Sequence, residues 1–214
     1  MEPTLSDSDV LIKRAATGDE AALAALWERY KSRLRQMIRL RLDRRLQGRV
    51  DPSDILQEAY LDLADRLSDY ARDRPMPPHL WLRLVTAQRL MQVHRRHLGA
   101  AGRDAGREIS LYQGALPRAS TASLAAQLLG HLTSASRVAV RAEQQLQLQE
   151  ALNGMDPIDR EIIALRHFEE LTNGEAAEIL GLSKSAASKR YVRALTRLQA
   201  VLERLPDFLD RDRD

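Results

Sequence analysis

Residues 175–195, EAAEILGLSKSAASKRYVRAL, pass from an acidic, alanine-rich segment through Gly-Leu-Ser into one studded with Ser, Lys and Arg. The pattern predicts a short helix over residues 173–180, a corner, and a longer helix from Lys184 to about residue 205. Gly181 suits the left-handed position that ends a helix, and Ser183 can cap the next by accepting backbone N–H groups. At about 100° per residue, Ala187, Tyr191, Ala194, Leu195, Leu198 and Leu202 share the side expected to face a core. Ser185, Lys189, Val192, Arg193 and Thr196 lie opposite, flanked by Ser188, Arg190 and Arg197. This is the sequence form of a helix-turn-helix, whose second helix enters the major groove. Lys and Arg there reach guanine edges or phosphates, and small side chains allow close approach.

Working outward, the 214 residues give room for two small domains rather than one large one. Leu, Ala, Arg and Glu dominate, all good helix formers, and no segment alternates as a strand would. An all-α fold is expected. All but four of the 33 basic residues are arginines, yet the 30 acidic residues nearly balance them, so an anion-binding surface must come from local segregation of charge. The absence of cysteine removes disulfides, thiol nucleophiles and Cys-based zinc sites. No apolar run approaches the roughly 20 residues that cross a bilayer, so no membrane insertion and a cytoplasmic location are expected.

The N-terminal part reads as four helices with short connections, a compact bundle. The first covers about residues 7–17, with Gly18 as its stop; the second runs from Asp19 to about Leu46, its later half crowded with arginine. Asp51-Pro52 opens the third, which is expected to end near Leu67. Residues 68–79, SDYARDRPMPPH, read as an exposed loop because of their three prolines. The fourth helix covers about residues 80–98 and ends in His94, Arg95, Arg96 and His97, where positive charge suits the helix C-terminus. Residues 99–140 read as a linker with some helical stretch near 123–132, residues 141–205 as the second domain, and residues 206–214 as a tail.

Together these segments resemble the extracytoplasmic function (ECF) sigma factors, small two-domain members of the bacterial sigma-70 class. Residues 155–198, MDPIDREIIALRHFEELTNGEAAEILGLSKSAASKRYVRALTRL, resemble their fourth conserved region, which reads the minus-35 promoter element. Residues 51–67, DPSDILQEAYLDLADRL, resemble region 2.2 in the core at Asp54, Ile55, Gln57, Glu58, Tyr60 and Leu61, and residues 81–90, WLRLVTAQRL, resemble region 2.3. The resemblance implies a region 2 bundle over residues 1–98 and a function as the RNA polymerase subunit that directs promoter-specific initiation.

The implied partners are core RNA polymerase, through its largest-subunit clamp helices and its flap, promoter DNA, and an anti-sigma factor of the kind many such proteins have. The core-binding residues would be Asp54, Gln57, Glu58, Leu61 and Asp62. Asp54, Glu58 and Asp62, at four-residue spacing, form an acidic stripe suited to a basic partner helix. The minus-10 contacts would be Tyr70, Arg72, Arg74, Trp81, Arg83, Gln88 and Arg89, with Tyr70 and Trp81 available to stack a base flipped from the melted strand. Trp81, at a helix start, also fits a core position. The minus-35 contacts would be Lys184, Ser185, Ser188, Lys189, Arg190 and Arg193. The recognition segment departs from the frequent family pattern, with Ala186 in place of a threonine, so the promoter sequence does not transfer.

The alternative is a stand-alone helix-turn-helix regulator whose N-terminal bundle dimerises or senses a signal. No Gly-rich phosphate loop, HExxH or GxSxG occurs, which points away from an enzyme and from any cofactor. His94 and His97 have a metal-binding spacing but no third ligand in the sequence near them, and fit a cationic helix end better.

Overall fold

The computed structural model describes residues 7–98, 116–132 and 138–204. The described residues are helices joined by turns, with no strand among them: α1 (Asp7–Ala16), α2 (Glu20–Arg41), α3 (Pro52–Asp73), α4 (Pro78–Leu98), α5 (Thr121–Leu132), α6 (Val138–Asn153), α7 (Pro157–Ile163), α8 (Asn173–Leu180) and α9 (Lys184–Leu202). They fall into two compact units, α1–α4 and α5–α9. The protein is all-α.

In the first unit α2 supplies the central apolar stripe, with Leu26, Leu34, Met37 and Ile38 buried on one face. α3 buries Ile55, Ala59, Leu63, Leu67 and Tyr70 at three- and four-residue spacing, and α4 adds Leu80, Trp81, Val85, Leu90 and Val93. Caps fix the starts: the Asp19 carboxylate accepts the Ala22 N–H at 3.0 Å, and the Asp51 carboxylate accepts the Ser53 N–H at 2.7 Å just ahead of Pro52. α1 lies across α2 and α3. Its Asp7 pairs with Arg29 at 3.0 Å, its Ser8 hydroxyl lies 2.9 Å from the Tyr30 hydroxyl, and its Asp9 pairs with Arg74 at 2.6 Å.

Two boundaries differ from expectation. α2 stops at Arg41, because the Asp43 carboxylate accepts the Arg45 N–H at 2.9 Å and builds a local turn that drops Leu42 and Leu46 into the core. α3 runs on through most of the stretch read as a loop. Nothing in residues 68–73 opposes a helix, Tyr70 continues the buried stripe, and proline acts only from Pro75 onward. The connection is therefore short, Arg74 to Pro77, and begins with Arg74 in the left-handed region at φ 39°.

In the second unit α5 and α6 pack together through Leu124, Ala125, Leu128 and Leu129 against Leu148 and Leu152. α5 lies inside the segment read as linker. Its apolar pairs are spaced for a helix face, and Ala119 just before it donates its N–H to the Glu161 carboxylate at 2.9 Å, which ties the segment to α7. The rest of the expected linker, residues 99–115 and 133–137, and the expected tail lie outside the described residues. α7 ends in a π turn, Ala164–Phe168, that buries Leu165 and Phe168 and stacks Arg166 over the Tyr191 ring at 4.9 Å. No described helix is long and apolar enough to cross a membrane.

The end of α4 carries a titratable joint. The Asp43 N–H donates to His94 Nε2 at 3.3 Å, which requires the neutral imidazole. Burial lowers the His94 pKa below the ordinary 6.5 despite the nearby Asp43 carboxylate, and Arg45 adds to the lowering. A histidine depressed in the folded state adds stability that is complete above pH 6.5 and is lost as pH falls through its folded value. Urea titrations of the protein between pH 7.5 and 5 are expected to show a falling midpoint for the first unit, and His94→Gln is expected to flatten that slope.

Candidate functional site

The helix-turn-helix corner is fixed by a set of short-range bonds. Thr172 and Glu175 form a reciprocal capping box at the start of α8: the Thr172 hydroxyl accepts the Glu175 N–H at 3.3 Å, and the Glu175 carboxylate accepts the Thr172 N–H at 2.8 Å. Gly181 ends α8 at φ 64°, where a side chain would be strained, and the Leu182 N–H closes back on the Ala177 carbonyl at 2.8 Å. Ser183 caps α9 by accepting the Ala186 N–H at 3.1 Å. Asn173 adds a clasp that the sequence did not reveal, its side-chain amide donating to the Lys184 carbonyl at 2.7 Å across the corner.

This geometry turns one face of α9 outward. Lys184, Ser185, Ser188 and Lys189 are exposed, as expected, and Val192 on the same face is 59% exposed. Ala187, Ala194 and Leu198 face the core. Arg190 and Arg193, expected among the free cations, are engaged from below by Asp159 of α7. Arg190 Nη1 donates to Asp159 at 2.6 Å, and Arg193 Nε and Nη2 donate to the same carboxylate at 3.1–3.3 Å. Those bonds hold the Arg190 guanidinium pKa above its usual value.

In the first unit Asp54 and Gln57 are exposed, and Leu61, a large apolar side chain, is 60% exposed. Gln57 lines a groove of about 810 Å³ between α2 and α3, with Trp27, Lys31, Arg35, Leu56 and Tyr60. The expected acidic stripe is not continuous. Arg89 of α4 reaches across with Nε 2.9 Å from the Asp62 carboxylate and Nη1 3.3 Å from that of Glu58. The reason is register: α3 and α4 pack side by side, so the inner edge of the acidic stripe meets the inner edge of the basic one. Arg89, read as a DNA contact, and Glu58 and Asp62, read as polymerase contacts, are thus partners of each other. One turn along, Arg66 donates to the Gln88 side-chain oxygen at 2.6 Å.

The expected base-stacking pair is also turned inward. Tyr70 and Trp81 are buried and stack on each other with centroids 4.1 Å apart and an 11° angle, and the Tyr70 hydroxyl donates to the Met76 carbonyl at 2.8 Å. Burial pushes the Tyr70 pKa up to about 12. Two rings that fill the joint between α3 and α4 are not free to receive a base, so the core role weighed for Trp81 is the one adopted. Arg74 is held by Asp9, Arg72 is exposed but pairs with Asp69 and Asp73, and Arg83 is half-buried. Among the described residues no group of three His, Cys, Asp or Glu is arranged to hold a metal ion.

Residues 145–206, which include this helix-turn-helix, match the family model "Sigma-70, region 4". Over nearly the whole chain, the RNA polymerase sigma factor NccH of Alcaligenes xylosoxydans xylosoxydans is 27% identical across 204 residues, 92% of this chain and 96% of that protein. Residues 145–206 thus carry a sigma-70 region 4 module, and the chain as a whole is similar to ECF sigma factors. The ECF RNA polymerase sigma factor SigD of Mycobacterium bovis and that of Mycobacterium tuberculosis are each 26% identical over 200 residues, 94% of this chain and 86% of theirs. Among solved structures, CnrH in complex with the cytosolic domain of CnrY has the same fold, with a TM-score of 0.53, 22% identity and coverage of 92% of this chain and 98% of that one.

As a sigma factor, the protein serves RNA polymerase in promoter-directed initiation, and its two units carry the capped corner and the α3–α4 face described above. The corner depends on few bonds. Ser183→Ala is expected to cost about 1 kcal/mol in the second unit by loss of the α9 cap, read as a lower urea midpoint, while Ser183→Asp is expected to retain the stability.

Proposed function

We propose that this sigma factor reads a minus-35 element with the outward face of α9 and binds core polymerase with the exposed side of α3. The observation that carries this reading is the capped α8–α9 corner, which leaves Lys184, Ser185, Ser188, Lys189 and Val192 facing solvent on a single helix face. Two lysines supply phosphate or guanine contacts, the serines allow close approach, and Val192 offers an apolar surface for a thymine methyl group.

On α3, the pieces that fit a helical partner are Asp54, Gln57 and Leu61, beside the groove lined by Trp27, Lys31 and Tyr60. The partner proposed for them is the clamp-helix pair of the largest polymerase subunit, with the polymerase flap receiving the second unit. An exposed leucine between two polar side chains is the kind of apolar anchor that interfaces bury at their centre. The minus-10 strand is proposed to run past Arg72 and Arg83, its phosphates competing for the Arg72 guanidinium that Asp69 and Asp73 engage in the free protein. An anti-sigma factor covering these same faces completes the proposal; the fold neighbour CnrH is itself solved with a protein partner, the cytosolic domain of CnrY.

Mixing the protein with core polymerase and a library of promoter fragments is expected to yield run-off transcripts from a defined subset. Leu61→Arg combined with Gln57→Ala is expected to weaken association with core polymerase by about tenfold or more while the variant keeps its helical content. Lys189→Gln is expected to spare that association and to lower the salt dependence of promoter binding by about one counterion. Tight palindromic binding by the protein alone, with no association with core polymerase, would overturn the reading in favour of a stand-alone regulator.

A further inference from the structure

Asp159 is 1% exposed, and it lies beneath α9 rather than on the surface where its sequence position at the start of a short helix would leave it. A carboxylate so far from water is stable only if cations and hydrogen bonds surround it. Two guanidinium groups do so. Oδ1 accepts from Arg190 Nη1 at 2.6 Å and from Arg193 Nη2 at 3.2 Å, and Oδ2 accepts from Arg193 Nε at 3.3 Å and Nη2 at 3.1 Å. Arg190 has a second, longer contact to Asp156 at 3.4 Å.

The atoms involved decide what Arg193 has left to offer. A guanidinium carries five coplanar N–H donors, one on Nε and two on each terminal nitrogen. Asp159 takes the side-on edge formed by Nε and Nη2. The end-on edge, formed by Nη1 and the remaining Nη2 hydrogen, points away from the carboxylate, and the Arg193 side chain is 58% exposed. That edge has the spacing and direction to meet the O6 and N7 acceptors of a guanine together. A guanidinium already clamped in its plane loses little rotational freedom when it does so, whereas a solvated arginine loses much.

We propose that Asp159 is a positioning residue of the promoter interface, holding Arg193 side-on so that its end-on edge reads one guanine of the minus-35 element. The inference rests on the reading of α9 as the minus-35 helix. It adds a residue that lies outside the helix-turn-helix, in α7, and that touches no DNA.

The test uses holoenzyme reconstituted from core polymerase and the full-length chain, on a promoter duplex found by mapping run-off start sites. Each guanine of its minus-35 segment is replaced singly by 7-deazaguanine, which lacks the N7 acceptor. With the wild-type chain, binding is expected to weaken about fivefold or more at one particular guanine. Arg193→Lys keeps the charge but has no planar fork, and it is expected to abolish the sensitivity at that guanine. Asp159→Asn is expected to abolish it as well with helical content retained, and to add nothing further in the Arg193→Lys background. A purely structural role for Asp159 would instead weaken binding equally on every duplex. If Asp159→Asn does not fold, Asp159→Glu, which displaces the charge by one methylene, is read in its place with the same expectation. Sensitivity that persists in the Asp159 variant, or that is absent from the wild type, overturns the proposal. Lys189→Gln separates this outcome from failure of the parent reading: if neither it nor any minus-35 base change alters promoter binding, α9 does not read that element at all.

Discussion

A charge taken out of water must be matched inside the protein, and this requirement organises both units. Asp159 has almost no contact with solvent, so α7 and α9 are held at the separation and rotation that bring Arg190 and Arg193 to it. The local caps form the helix-turn-helix corner and turn the outer face of α9 to solvent, and the Asp159 carboxylate adds a further tie between α7 and α9. The first unit has a more exposed counterpart where Arg89 of α4 spans Asp62 and Glu58 of α3. In each case an arginine on one helix fixes the register of its neighbour.

Such pairings also explain why the charged surfaces are smaller than the sequence implies. Periodicity places Asp54, Glu58 and Asp62 on one stripe, yet a stripe has two edges, and the edge toward α4 is consumed by Arg89. What remains outward is mixed: a carboxylate, an amide and an exposed leucine. Protein partners are bound at their centre by apolar and hydrogen-bonding groups more than by bare charge, so the loss of acidity does not disqualify the face. On α9 the remaining outward residues are likewise neutral or singly charged, a composition suited to close approach in a groove.

The features legible from sequence were those governed by contacts within a few residues. Gly181, Ser183 and the apolar spacing of α9 announce the corner, and Asp51-Pro52 announces the start of α3. The features that escaped depend on partners far along the chain. Asp159 meets Arg190 and Arg193 across 31 and 34 residues, and Arg89 meets Asp62 across 27. Residues 68–79 misled because three prolines at one end of a segment were allowed to speak for all of it, whereas Tyr70 and Trp81 prefer each other's faces to solvent. The helical stretch expected near residues 123–132 is α5, but the glycine and serine around it hid its place in the core, where Leu124, Leu128 and Leu129 are buried.

Arg74 ends α3 in a left-handed conformation that glycine adopts freely and arginine does not, at a cost of roughly 1–2 kcal/mol. What offsets that cost is a carboxylate 65 residues earlier, in the first turns of α1. α1 therefore holds the turn between α3 and α4 through that one carboxylate. A substitution at Asp9 would remove the ion pair that holds Arg74 in that conformation, so a residue of α1 bears on the bend that joins α3 to α4.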